Sequence, residues 1–134
     1  MQIVILFLVT SFVFLVADAL MLRFVIQPLF QQHLGAQLID GLRLAPAMLF
    51  YLTYMFGILW FVGLPALRND APANALFNGA ALGFVAYGTY ELTSWSVMRN
   101  WHGSMVAVDW TWGAIVTGLA AWAGVIVARM WPME

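Results

Sequence analysis

The chain has 134 residues, of which 64% are hydrophobic and only 8% charged. A soluble domain carries about a quarter charged residues, and a disordered chain needs low hydrophobicity with high net charge, so both classes are excluded. A net charge of −1 with five basic residues leaves no nucleic-acid footprint, and the lack of cysteine removes disulfides, thiolate metal sites and cysteine nucleophiles.

An integral membrane protein remains. A helix needs about 20 mostly apolar residues to cross the hydrocarbon core, and four stretches qualify: 2–22, 44–67, 74–98 and 105–130. In the first span, Ala17-Asp18-Ala19 imitates the cleavage site of a secretory signal. Met1-Gln2 offers no positive n-region and the apolar run is long for a signal, so the segment is read as a retained span. From Arg23 to Arg43 the chain carries Pro28, Gly35 and Gly41, with Phe30, Leu34 and Leu38 at helical spacing among Gln31, Gln32 and Gln37. The pattern predicts a short helix at the membrane interface, with an irregular loop as the alternative. Arg68 to Ala73 and Arg99 to Ser104 are short polar links that make the helices they join antiparallel neighbours.

The expected fold is therefore all-α: one domain over 1–134, with four transmembrane helices in an up-down bundle and both termini on one side. All five basic residues (Arg23, Arg43, Arg68, Arg99 and Arg129) fall at span edges, where long side chains can snorkel. Call the side with the amino terminus, Arg68 and Arg129 face A, and the side with Arg23, Arg43 and Arg99 face B. The charges nearly balance, so the positive-inside rule selects neither orientation.

Three acids lie inside spans. Each costs about 2.5–3.5 kcal/mol at a helix centre. At 1.5 Å per residue, Asp18 and Asp109 lie about 7–8 Å and Glu91 about 12 Å inside face B. Three different helices thus bring a carboxyl to similar depth in one leaflet. On span three, Tyr87, Tyr90, Glu91 and Ser94 share a helical face that Gly79 and Gly83 continue toward face A. The G-x-x-x-G spacing predicts a close helix contact there. On span four, Asp109, Trp112, Gly113 and Val116 share a face, and on span two Tyr51 and Tyr54 fall in the same half. Such groups can simply hydrogen-bond between helices. Their shared depth favours a pocket, and three ionised carboxyls so close would repel one another, so at least one is expected to be neutral.

His33 and His102 also fall on face B, but no Glu-x-x-His pair accompanies them, and no metal site is assigned. Trp101 and Trp131 are read as interface-belt residues. Trp95, Trp110, Trp112 and Trp122 are read as packing against neighbours or a flat ligand.

Val13 to Leu20, Ala47 to Tyr51, Tyr87-Gly88-Thr89-Tyr90-Glu91-Leu92-Thr93-Ser94 and Asp109-Trp110-Thr111-Trp112-Gly113 together resemble a bacterial family of small four-span membrane proteins, the domain of unknown function 2177. The resemblance covers nearly the whole chain. The family typically carries Asp-Leu-Thr-Asn where this chain has Glu91-Leu92-Thr93-Ser94, and a Trp near the first-span acid where this chain has Met21. The resemblance implies a topology and a shared polar motif, and it names no reaction.

The expected function is to bind, and as a further step modify, a lipid or other amphipathic or isoprenoid ligand near face B. The expected pocket comprises Asp18, Tyr51, Tyr54, Tyr87, Tyr90, Glu91, Ser94, Asp109 and Trp112, with membrane lipids as partners and no cofactor named. The alternative is an accessory subunit packed against a larger respiratory or photosynthetic complex. The expected location is the bacterial cytoplasmic membrane.

Overall fold

The computed structural model describes residues 1–38 and 43–131, so Gly41 of the first link lies outside the described residues. Four long helices follow one another: α1 (Gln2–Gln37), α2 (Leu44–Arg68), α3 (Pro72–Val97) and α4 (Gly103–Ala128). No strand occurs among the described residues. The helices α1, α2 and α4 are long and apolar enough to cross a membrane. The 26 residues of α3 span about 39 Å, also a membrane length. Asn74, Asn78, Thr89, Glu91, Thr93, Ser94 and Ser96 make α3 the least apolar of the four.

Contacts at the two ends fix the up-down order. Gln2 Nε2 donates to the Trp131 carbonyl at 2.7 Å and to the Ala128 carbonyl at 3.3 Å. Asp70, in the α2–α3 turn, pairs with Arg129 Nη2 at 3.1 Å. The start of α1, the α2–α3 turn and the end of α4 therefore share one end, face A. Asp70 has φ +50°, a left-handed conformation that a short polar side chain tolerates, and it lets the chain reverse within three residues.

The first link differs from the expected separate helix. Residues Gln27–Leu34 are helical, but they continue α1 directly through a wide π turn at Leu22–Ile26. Proline lacks the N–H of a helical residue, and its ring crowds the carbonyl four residues earlier. The π turn, closed by Gln27 N–H onto the Leu22 carbonyl, comes just before Pro28 and absorbs both problems. The same device recurs in α2, where a π turn at Leu59–Gly63 comes just before Pro65. Pro28 therefore does not end the helix. The α-helical part ends at Gly35, at φ +51°, before a last 3₁₀ turn to Gln37. The extension docks on the α3–α4 corner through Leu34, Trp101, Met105 and Val106, with Phe30 edge-on to Trp101 at 5.3 Å.

The core lies between α1, α2 and α4, with α3 laid along α4. Over Gln2–Met21 of α1 the buried positions are Leu6, Thr10, Phe14 and Asp18, one every fourth residue. They meet Tyr54, Ile58 and Val62 of α2 and Val116, Ala120, Ala121 and Val125 of α4. The contact of α3 with α4 is close because glycines face each other across it. A side chain on Gly79 would meet Gly118 Cα at 2.8 Å, and one on Gly83 would run into the Gly113 carbonyl.

Candidate functional site

In the face B half the same helices line a cavity of about 410 Å³. Asp18 and Leu22 line it from α1, Phe50 and Tyr51 from α2, Ala86, Tyr87 and Tyr90 from α3, and Asp109 from α4. Leu22, Phe50 and Tyr90 are largely exposed and form its rim, while Asp18 and Asp109 are buried at its floor.

Asp18 continues the buried stripe of α1, so the helix delivers a carboxylate to the place where an apolar residue would otherwise pack. Tyr51 Oη donates to its Oδ2 at 2.6 Å, and Trp112 Nε1 donates to its Oδ1 at 3.1 Å. Both oxygens are thereby satisfied by neutral donors from two other helices. Among the described residues no arginine lies within ion-pair range of Asp18, Glu91 or Asp109; Arg23 instead stands over the Phe24 ring at 5.5 Å.

Glu91 is fully buried and sits behind the cavity wall rather than on it. Trp101 Nε1 donates to its Oε1 at 2.9 Å, and Oε2 has no N–H or hydroxyl partner. Its neighbour is the Asp109 carboxyl, within hydrogen-bonding range. Apart from Glu91, no side chain or N–H among the described residues hydrogen-bonds to Asp109.

Tyr87 owes its position to Gly113. Its ring lies flat against the glycine backbone, in space that a Cβ would occupy. Below it, Tyr54 Oη and Thr117 Oγ1 share a buried hydrogen bond of 2.7 Å, with the two tyrosine rings edge-to-face at 6.0 Å. Gly88 plays a similar part for Trp110, whose Nε1 reaches the Phe84 carbonyl at 2.8 Å.

Of the nine residues expected to form the pocket, Asp18, Tyr51, Tyr87, Tyr90 and Asp109 line the cavity. Trp112, Tyr54 and Glu91 stand one layer behind it, and Ser94 is not on its wall. Leu22, Phe50 and Ala86 line it without having been singled out in the sequence; Phe50 adjoins Tyr51 and could have been. Trp101 is not an interface-belt residue. It is buried between Phe30 and Tyr90 and holds Glu91. His33 and His102 are brought together. Their rings stack at 4.2 Å, and both contact Ser104 Oγ.

The family model described as "Predicted membrane protein (DUF2177)" matches residues 3–126, which takes in the body of all four helices. The chain belongs to this family. No curated protein and no solved structure matches it. The four segments that carry the DUF2177 resemblance converge in space, since Asp18, Phe50 with Tyr51, Tyr87 with Tyr90, and Asp109 all reach the one cavity.

Proposed function

We propose that this DUF2177 protein binds the polar end of a lipid or other amphipathic ligand, isoprenoids included, in the face B cavity, with all four helices crossing a bacterial cytoplasmic membrane. The observation that carries the reading is the construction of the cavity itself. An apolar rim of Leu22, Phe50 and Tyr90 leads to a floor of two buried carboxyls and tyrosines. Ligand pockets share this plan, with apolar walls and a few convergent polar groups, and typically enclose about 300–1,000 Å³. A chain entering between helices would keep its tail in the bilayer and its head at the acids.

Photocrosslinking tests this. A photoreactive side chain at Ala86, on the cavity wall, should capture one ligand class reproducibly. The same group at Ala81, on the outer side of α3, should capture bulk lipids in proportion to their abundance. Identical adduct profiles at the two positions would refute the reading.

A second reading, as an accessory subunit, draws on the outer face of α3. Asn74, Asn78, Thr89, Thr93 and Ser96 are all exposed there. Thr89, Thr93 and Ser96 bond back to their own helix, but Asn78 has no hydrogen-bond partner among the described residues. An amide facing hydrocarbon is costly, and a neighbouring helix would relieve it. Stoichiometric co-purification of a second protein, lost in Asn78→Leu, would favour this role.

A further inference from the structure

The cavity is unusual in its electrostatics as well as its shape. Two acidic side chains from different helices, Asp18 and Asp109, line it, and among the described residues no basic side chain pairs with them. Asp18 has two donors, from Tyr51 and Trp112. Asp109 has none except the acid Glu91, although it is nine-tenths buried and lines the void. Its two oxygens offer about four acceptor sites, more than one neighbouring acid fills, so acceptor capacity remains toward the cavity. Around that acceptor stand four aromatic rings, those of Phe50, Tyr51, Tyr87 and Tyr90. Their faces are electron-rich and attract cations.

Resting on the reading of the cavity as an amphiphile site, we infer that its ligand is an amphipathic primary amine in its protonated form. The ammonium would donate N–H to Asp109, with its charge held between Asp109 and Asp18 and its methylenes against the aromatic walls. A metal ion would need several oxygen ligands around one point. Among the described residues no three potential metal-ligating side chains (His, Cys, Asp, Glu) are grouped to provide them. An ammonium needs only one strong acceptor and aromatic contact, which is what this floor supplies. The amine could be carried by a lipid headgroup or by a free lipophilic amine, since both present the same ammonium on an apolar chain.

The test uses the purified full chain in neutral maltoside micelles, with dodecylammonium and dodecanol as probes of equal chain length. Binding is followed by tryptophan fluorescence and by thermal unfolding. Dodecylammonium should bind saturably, at least tenfold tighter than dodecanol, and Asp109→Asn should erase that preference. Because Asp109→Asn could compromise folding, Tyr90→Leu at the exposed rim gives a second handle. Loss of one cation–aromatic contact should weaken dodecylammonium about two- to fivefold while sparing dodecanol. Equal binding of the two probes would overturn the amine inference and leave the amphiphile site standing. Saturable binding of neither would overturn both. For the source of the amine, native mass spectrometry follows reconstitution in phosphatidylethanolamine or phosphatidylglycerol vesicles. A retained phosphatidylethanolamine molecule, absent in Asp109→Asn, supports the inference with a lipid headgroup as the source. Dodecylammonium binding without retained lipid supports it with a free amine.

Discussion

The two halves of the bundle are built from the same four helices and solve opposite problems. Toward face A and through the middle, small residues draw the helices together. Gly79 and Gly83 meet Gly118 and Gly113, and Gly124 receives Leu6 and Thr10. Toward face B the same helices carry Asp18, Tyr51, Tyr87 and Asp109, and side chains of that size hold the backbones apart around a void. Without a hydrophobic force to drive helices together inside lipid, close van der Waals contact must supply cohesion. The tight half supplies it, and the open half can then keep buried acids and an unfilled space.

The largest effect should come from breaking the tight half. Gly83→Leu drives a side chain into the backbone of Gly113, which cannot yield as a flexible side chain would. A loss of about 3 kcal/mol or more is expected, at the upper end of overpacking costs. Ala81→Leu on the exposed side of the same helix should change stability by less than about 0.5 kcal/mol. Equal unfolding temperatures for the two variants in detergent would contradict the division between the halves.

An intermediate effect tests whether the open half depends on its polar network. Glu91→Leu strands the Trp101 N–H and removes the partner of Asp109. Unsatisfied buried polar groups cost about 1–3 kcal/mol, and chemical denaturation should show a loss in that range. Glu91→Gln keeps an oxygen for Trp101 and offers an N–H to Asp109, so it should fold with near-native stability. A glutamine variant as unstable as the leucine one would mean that the carboxyl acts in some other way.

The smallest effect belongs to the Asp70–Arg129 pair at the face A end. Its side chains are 69% and 39% exposed, and exposed ion pairs contribute about 0–1 kcal/mol, less in high salt. Arg129→Ala should therefore lower the unfolding temperature slightly at low ionic strength and not at all at high. A large, salt-independent loss would show that this end is held by charge rather than by small-residue packing.

Sequence periodicity was enough to place a close helix contact at Gly79 and Gly83, because they lie one helical turn apart on one face; that the partner is α4 came from the structure. It was also enough to place Asp18, Glu91 and Asp109 at comparable depth, because rise per residue is nearly constant in a helix. It read the stretch after Arg23 as a link with its own short helix, where α1 instead continues through Pro28. Whether a proline ends a helix depends on the turn before it, and a π turn leaves no mark in the hydrophobic pattern. It also assigned Trp101 to the membrane surface, a general preference of tryptophan that a specific partner overrode when the α1 extension folded over the α3–α4 corner.

What the sequence by itself determined is the membrane class, the bounds of α2, α3 and α4 to within a few residues, and the end of the bundle at which the acids gather. These follow from composition and from local geometry, which one helix expresses without its neighbours. Only the tertiary structure decided that Asp18 is satisfied by Tyr51 and Trp112, that Glu91 stands behind Asp109 rather than beside the void, and that Leu22, Phe50 and Tyr90 form the rim. Those outcomes depend on how far apart four helices sit and how each is rotated. That spacing is set by which side chains meet across the gaps, by glycine against glycine in one half and tyrosine against glycine in the other.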